Sequence, residues 1–137
     1  MPDSALVKKL KIKAGQRVGF INAPQGYLDE LGALPEGVQT AEKLDGEFDW
    51  LQVFVLRRAE LEALIPQVIS ALKPDSLLWI SFPKGISKIQ TDLTRDTGWD
   101  VLQGVDLKWI NLVSVNETWS AFSLRPYKPG EKKQSFR

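Results

Sequence analysis

Three stretches of this sequence are apolar almost without interruption: Arg17-Val-Gly-Phe-Ile-Asn22, Trp50-Leu-Gln-Val-Phe-Val-Leu56 and Leu77-Leu-Trp-Ile-Ser-Phe82. A strand with one wet face alternates apolar and polar residues, and these do not. They therefore read as strands buried on both faces, as in a parallel sheet covered by helices on either side. Turn residues bound them: Ala14-Gly15 precedes the first, Ala23-Pro24-Gln25-Gly26 follows it, and Pro83-Lys84-Gly85 follows the third. A chain of 137 residues has room for one such core and not for two.

The intervening segments supply the covering layers. Tyr27 to Leu31 reads as a short helix ending near Gly32, and Val38 to Lys43 as a short, poorly buried strand. From Ala59 to Leu72 the residues Leu61, Leu64, Ile65, Val68 and Leu72 share one helical face. Pro66 is expected to kink or restart that helix, because proline removes a backbone donor. Lys73-Pro74-Asp75 ends it. A second amphipathic helix is expected up to Thr97, burying Ile86, Ile89 and Leu93. The end of the chain differs. Trp109 to Val115 and Trp119 to Arg125 are strand-like and separated only by Asn116-Glu117-Thr118. A parallel crossover needs a dozen or more residues, so this pair forms an antiparallel hairpin. The expected fold is α/β, a Rossmann-like three-layer sandwich with a mostly parallel sheet and an antiparallel C-terminal hairpin. Residues 1–127 form the single domain, and 128–137 read as a flexible basic tail.

The chain has no histidine and no cysteine. That excludes Ser-His-Asp and Cys-His nucleophilic catalysis, imidazole base chemistry, structural zinc and iron–sulfur sites. Carboxylates, lysines, tyrosines and hydroxyls remain, and only a hard cation would find suitable ligands among them. Net charge is +1 but unevenly spread. Lys8, Lys9, Lys11, Lys13 and Arg17 make the start basic, and seven carboxylates against Lys43 make residues 26–50 acidic. Aromatics are not interleaved with the basic residues as single-strand binders require, so nucleic acid is not an expected partner. Lys8 to Lys13 reads as a solvated, alternating edge segment. With no apolar run near the roughly 18–20 residues that cross a bilayer and no signal-peptide core, the expected location is the cytoplasm.

In an open α/β sheet, ligands bind outside the carboxyl ends of the strands, where strand order reverses. Two loops qualify: Asn22-Ala-Pro-Gln-Gly-Tyr27 and Ser81-Phe-Pro-Lys-Gly85. Gly26 would let an anion approach, and Lys84 would supply charge. No GxGxxG or GxxxxGK[ST] is present. Lys84, Lys88, Asp92 and Arg95 form a row opposite their helix's apolar stripe, which for Lys88 and Asp92 reads as an exposed ion-pair ladder. Of the five tryptophans, Trp50 and Trp79 belong in the core, and Trp99 and Trp109 where the second helix meets the hairpin. Trp119, just after the hairpin turn, is placed to line a pocket. The candidate ligand-binding residues are Asn22, Pro24, Gln25, Gly26, Tyr27, Lys84, Asp92 and Trp119; no catalytic or metal-binding residue is assigned.

Two resemblances add to this reading. Phe48-Asp49 resembles the "fD" strand opening of class I S-adenosylmethionine-dependent methyltransferases, and Ala71-Leu-Lys-Pro-Asp-Ser-Leu-Leu-Trp79 resembles their "LkPGG" helix end and strand. The glycine-rich cofactor signature is replaced by Phe20-Ile-Asn-Ala-Pro-Gln-Gly-Tyr27, and no acidic residue is read at the end of the second strand. About 25 residues separate the first strand from Phe48, which implies the loss of one strand–helix unit and hence a shortened methyltransferase-like topology. Over most of the chain, Lys9-Leu-Lys-Ile-Lys-Ala-Gly15, Asn22-Ala-Pro-Gln-Gly26, the lead-in Phe48-Asp49, Leu78-Trp-Ile-Ser-Phe-Pro-Lys84, Thr91-Asp-Leu-Thr94 and Glu117-Thr-Trp-Ser120 resemble a family of small bacterial proteins catalogued as a domain of unknown function. That resemblance implies the fold and no activity. The expected function is non-catalytic binding of a small anionic ligand or a protein partner, with no cofactor. The alternative is a divergent transferase using S-adenosylmethionine or a nucleotide. A homodimer through the hairpin edge is a third expectation.

Overall fold

A computed structural model describes residues 5–84, 91, 93, 99–102, 107–127, 130 and 131. The second helix read between Ile86 and Thr97, with Lys88, Asp92 and Arg95, lies largely outside the described residues. Among those described, six strands form one sheet: β1 (Arg17–Ile21), β2 (Gln39–Ala41), β3 (Phe48–Phe54), β4 (Leu72–Pro83), β5 (Leu107–Ser114) and β6 (Trp119–Pro126). Their order is β2-β1-β3-β4-β6-β5. The first four are parallel, and β6 runs antiparallel to both β4 and β5. This is the expected parallel sheet closed by a hairpin.

The chain leaves β1 toward β2 on one side and β3 toward β4 on the other. Right-handed crossovers in opposite directions put their helices on opposite faces. Accordingly α2 (Tyr27–Leu31) packs on one face and α3 (Arg58–Ser70) on the other. The α3 face buries Leu61, Ile65 and Val68 against Phe48, Leu51, Val53, Leu78 and Ile80. At its hairpin end Phe82 stacks on Phe122, and Trp99 meets Trp109 edge-on, with ring centroids 5.8 Å apart. The Leu51 and Phe48 side chains fill the space beside Gly19: a Cβ there would lie 2.5 Å from Leu51 Cδ2, so β1 carries glycine.

Two local readings change. The segment Lys8 to Lys13 is not a solvated, alternating edge segment. Helix α1 (Ala5–Lys9) runs into a turn at Lys11, whose φ is 64°. The Lys11 N–H bonds the Lys8 carbonyl and the Ile12 N–H the Val7 carbonyl, the paired bonds of a Schellman C-cap. The alternation of lysine with apolar residues buries Val7, Leu10 and Ile12 and leaves Lys8, Lys9, Lys11 and Lys13 exposed. Pro66 does not interrupt α3. The carbonyl that loses its donor, that of Glu62, sits on the exposed face, where water replaces the N–H.

The cap at Leu10 leaves its carbonyl without an intrahelical partner. Trp50 on β3 and Trp79 on β4 point to the same sheet face, and both indole N–H groups donate to that oxygen, at 2.8 and 2.9 Å. All three residues are essentially inaccessible to solvent. Two side chains from neighbouring strands thus fasten α1 to the sheet.

The "fD" pair also has a structural account. Phe48 is buried with the Arg17 guanidinium over its ring. The Asp49 carboxylate accepts the Arg17 backbone N–H at 2.8 Å and pairs with Lys73 at 3.2 Å. The hydrogen bond from Arg17, and secondarily Lys73, holds the Asp49 carboxyl below its usual range. Such a group stabilises the fold above its unfolded pKa and stops doing so as pH falls through the folded value.

Replacing Trp50 or Trp79 by Phe should each cost about 1–3 kcal/mol, for one lost bond and the volume removed. The double variant should exceed the sum by about 1 kcal/mol, because only then is the buried Leu10 carbonyl left without a donor. Urea unfolding of the four proteins measures this coupling. Asp49→Asn should lower stability at neutral pH, and the deficit should shrink below about pH 4 as the native carboxylate titrates. Unfolding midpoints at pH 7 and at about pH 2.5 test that direction.

Candidate functional site

Strand order reverses between β1 and β3, which opens a crevice beyond their carboxyl ends. β1 ends in Asn22, at φ 60°. A left-handed residue other than glycine costs roughly 1 kcal/mol, and asparagine tolerates it better than most. Ala23-Pro24-Gln25-Gly26 then turns into α2, with Gly26 at φ 83°. Because β6 is antiparallel to β4, the turn Asn116-Glu117-Thr118 reaches the same edge of the sheet. The Lys84 N–H bonds the Thr118 carbonyl at 2.8 Å, which sets the turn beside the end of β4.

The turn is braced by Asn116. Its Oδ1 accepts the backbone N–H groups of Thr118 and Trp119, and its Nδ2 donates to Glu30 Oε1 at 2.9 Å. That last bond joins the hairpin to α2 across the crevice. Beneath it runs a buried polar chain. The Tyr27 hydroxyl donates to Gln52 Oε1 at 2.8 Å, and Gln52 Nε2 donates to Ser81 Oγ at 2.9 Å. All three residues are buried. Burial pushes the Tyr27 phenol well above its ordinary pKa, only partly offset by the Gln52 bond. Tyr27 is therefore a fixed neutral donor and not a base.

Two cavities flank the Pro24-Gln25 loop. One, of about 330 Å³, is lined by Pro24, Gln25, Tyr27, Glu30, Asn116, Thr118 and Trp119. The other, of about 190 Å³, is lined by Ala23, Pro24, Gln25, Gly26, Leu28, Asp29 and Glu42. A larger open groove of about 620 Å³ lies between Leu44 to Glu47 and the end of α3, away from the carboxyl ends of the strands.

The structure brings together Pro24, Gln25, Tyr27 and Trp119 on the first cavity, and Pro24, Gln25 and Gly26 on the second. Asn22 stands at the strand end that leads into both. Lys84 lines neither; its ammonium donates to Ser114 Oγ. Asp92 lies outside the described residues. Glu30, Glu42, Asn116 and Thr118 were not read from the sequence as site residues. The reading that no acidic residue ends the second strand is corrected. β2 stops at Ala41, not Lys43, so Glu42 directly follows it and faces the β1–α2 loop across the smaller cavity. Running the strand on to Lys43 hid Glu42, whose place after the strand is set by how far β2 pairs with β1. Among the described residues, no cluster of three or more acidic residues could hold a metal ion. No helix among them is long and apolar enough to cross a membrane.

No known family profile matches the sequence, and no curated protein matches it. Solved structures do. A DhpI–SAH complex aligns with a TM-score of 0.61 at 13% identity, over 89% of this chain and 82% of that one. The ribosomal protein L11 methylase of Lactobacillus delbrueckii subsp. bulgaricus aligns at 0.57 and 15%, over 90% and 76%. A TehB-like SAM-dependent methyltransferase of Corynebacterium glutamicum aligns at 0.56 and 13%, over 89% and 85%. Likeness at such low identity speaks to architecture, and the chain has a shortened, Rossmann-like, methyltransferase-like fold.

Proposed function

We propose that the crevice at the carboxyl ends of β1 and β2 binds a nucleoside, adenosine or an S-adenosyl compound first among them, and that the protein works by binding and not by catalysis. The observation that carries this reading is the position of Glu42. It follows β2 directly and shares a cavity with the β1–α2 loop. A carboxylate there accepts hydrogen bonds from ribose hydroxyls, the arrangement of dinucleotide-binding sheets.

The fit extends to the nucleoside only. Pro24 offers no N–H, and Gly26 is the only glycine between Asn22 and Tyr27, so the loop lacks the row of open amides that holds a charged group. A cavity of about 190 Å³ is also below the roughly 300 Å³ of ordinary ligand sites, so the remainder of a larger ligand would lie across its mouth. No methyl-transfer step is derived from these residues. Asp29, Glu30 and Glu42 line the two cavities, which favours hydroxyl-bearing or cationic ligands over the anionic class expected from the sequence. The divergent transferase is the second reading, favoured by the likeness to chains solved as complexes with SAM or SAH. It requires conversion of S-adenosylmethionine to S-adenosylhomocysteine with an acceptor, beyond binding.

Thermal unfolding with adenosine, 2′-deoxyadenosine, S-adenosylhomocysteine and AMP tests the proposal. At a hundredfold its dissociation constant, adenosine should add about 2.7 kcal/mol. Loss of the 2′-hydroxyl, or Glu42→Gln at this exposed site, should weaken binding by about tenfold or more. AMP should bind no better than adenosine. No rise in midpoint with any of the four, or unchanged adenosine binding to Glu42→Gln, would overturn it.

A further inference from the structure

We infer that the cavity of about 330 Å³ between α2 and the β5–β6 turn is a second binding site, for a small primary amine attached to a flat ring. It goes beyond the nucleoside reading and uses a different carboxylate. The walls are rigid and aromatic. Tyr27 is pinned by its hydroxyl to buried Gln52, with its ring against Phe20 and Phe54. Trp119 stands edge-on to Phe54, with centroids 5.1 Å apart. Pro24 supplies a further apolar edge with no N–H to satisfy. Such walls accept a flat ring at little entropic cost, since none of them has to be ordered on binding.

Two polar features then define what the ring must carry. The Glu30 carboxylate spends one oxygen on Asn116 Nδ2 and is held in place by it. Asn116 is itself fixed by two backbone N–H groups. A carboxylate has acceptor capacity well beyond one bond, so an ammonium can add to Glu30 without displacing Asn116. The second feature is Trp119. This residue is 8% exposed and lines the cavity, and its indole N–H, which donates to no group among the described residues, reaches solvent there. The fully buried indole N–H groups of Trp50 and Trp79 have a protein acceptor, whereas that of Trp119 faces the open side of the cavity. An acceptor arriving with the ligand, in the ring or beside it, can take the place of water on this donor. A carboxylate in place of the amine would meet Glu30 with like charge.

The probes are benzylamine, benzyl alcohol and benzoate, and the reporter is the Trp119 indole N–H resonance of the whole chain, assigned through the backbone. Benzylamine should move that resonance saturably. Benzyl alcohol should bind more weakly, and benzoate should not bind. Glu30→Gln keeps an acceptor for Asn116 at an exposed position and should weaken benzylamine by about tenfold or more while leaving benzyl alcohol unchanged. The proposal is overturned if benzoate binds as well as benzylamine, if Glu30→Gln binds benzylamine as tightly as the natural chain, or if the resonance is still at about 10 mM amine, a concentration above any useful affinity. Glu42→Gln should not change benzylamine binding, so failure here and failure of the nucleoside reading are told apart.

Discussion

The carbonyl oxygen of Leu10 is the point on which one whole face of this molecule depends. It belongs to the end of α1, where helical geometry leaves it unpaired, and it sits where no water reaches. Two indole N–H groups from neighbouring strands satisfy it. An unsatisfied buried carbonyl costs more than a hydrogen bond contributes, so the arrangement is obligatory once α1 covers the sheet. It also fixes β3 and β4 relative to each other at Trp50 and Trp79. Gln52, between Trp50 and Phe54 on that strand and facing the same way, then has Tyr27 on one side and Ser81 on the other. The floor of the crevice inherits its geometry from that anchor.

The crevice itself follows from topology. The strand-order reversal opens it between β1 and β3, and the antiparallel hairpin returns a turn to the same edge. Asn116 converts that proximity into a fixed bridge to α2. The result is two adjoining compartments separated by Pro24 and Gln25, each with its own carboxylate: Glu42 on the β2 side and Glu30 on the hairpin side. Of the acidic residues between 26 and 50, Asp29, Glu30 and Glu42 line these compartments, whereas Glu47 and Asp49 lie away from them.

Much of the fold was legible because burial on both faces erases polarity alternation, and because a three-residue connection permits only a hairpin. The strand-end loops were legible for the same reason: Pro24 and Gly26 break an apolar run. What escaped had no local signature. The length of β2 is set by pairing with β1 at Arg17, Val18 and Gly19, so Glu42 gained its position from another strand. Glu30 and Asn116 are 86 residues apart in sequence, and no spacing rule connects them. The lysine-interrupted segment from Lys8 to Lys13 was misread because alternation of period two also describes a capped turn whose apolar members point inward. Pro66 was misread because its cost depends on whether the orphaned carbonyl faces water, which only packing decides.

The Leu10 anchor has a consequence for the order in which this chain acquires structure. Its two donors lie 40 and 69 residues downstream, so the first helix leaves the ribosome long before either can reach it. Closing loops of that length early gains nothing until β3 and β4 have paired. A segment made well before β3 and β4 is thus fixed only after they are. Until then the apolar sheet face bearing Trp50 and Trp79 lacks its covering helix, and it stays open to wrong contacts while later segments are made.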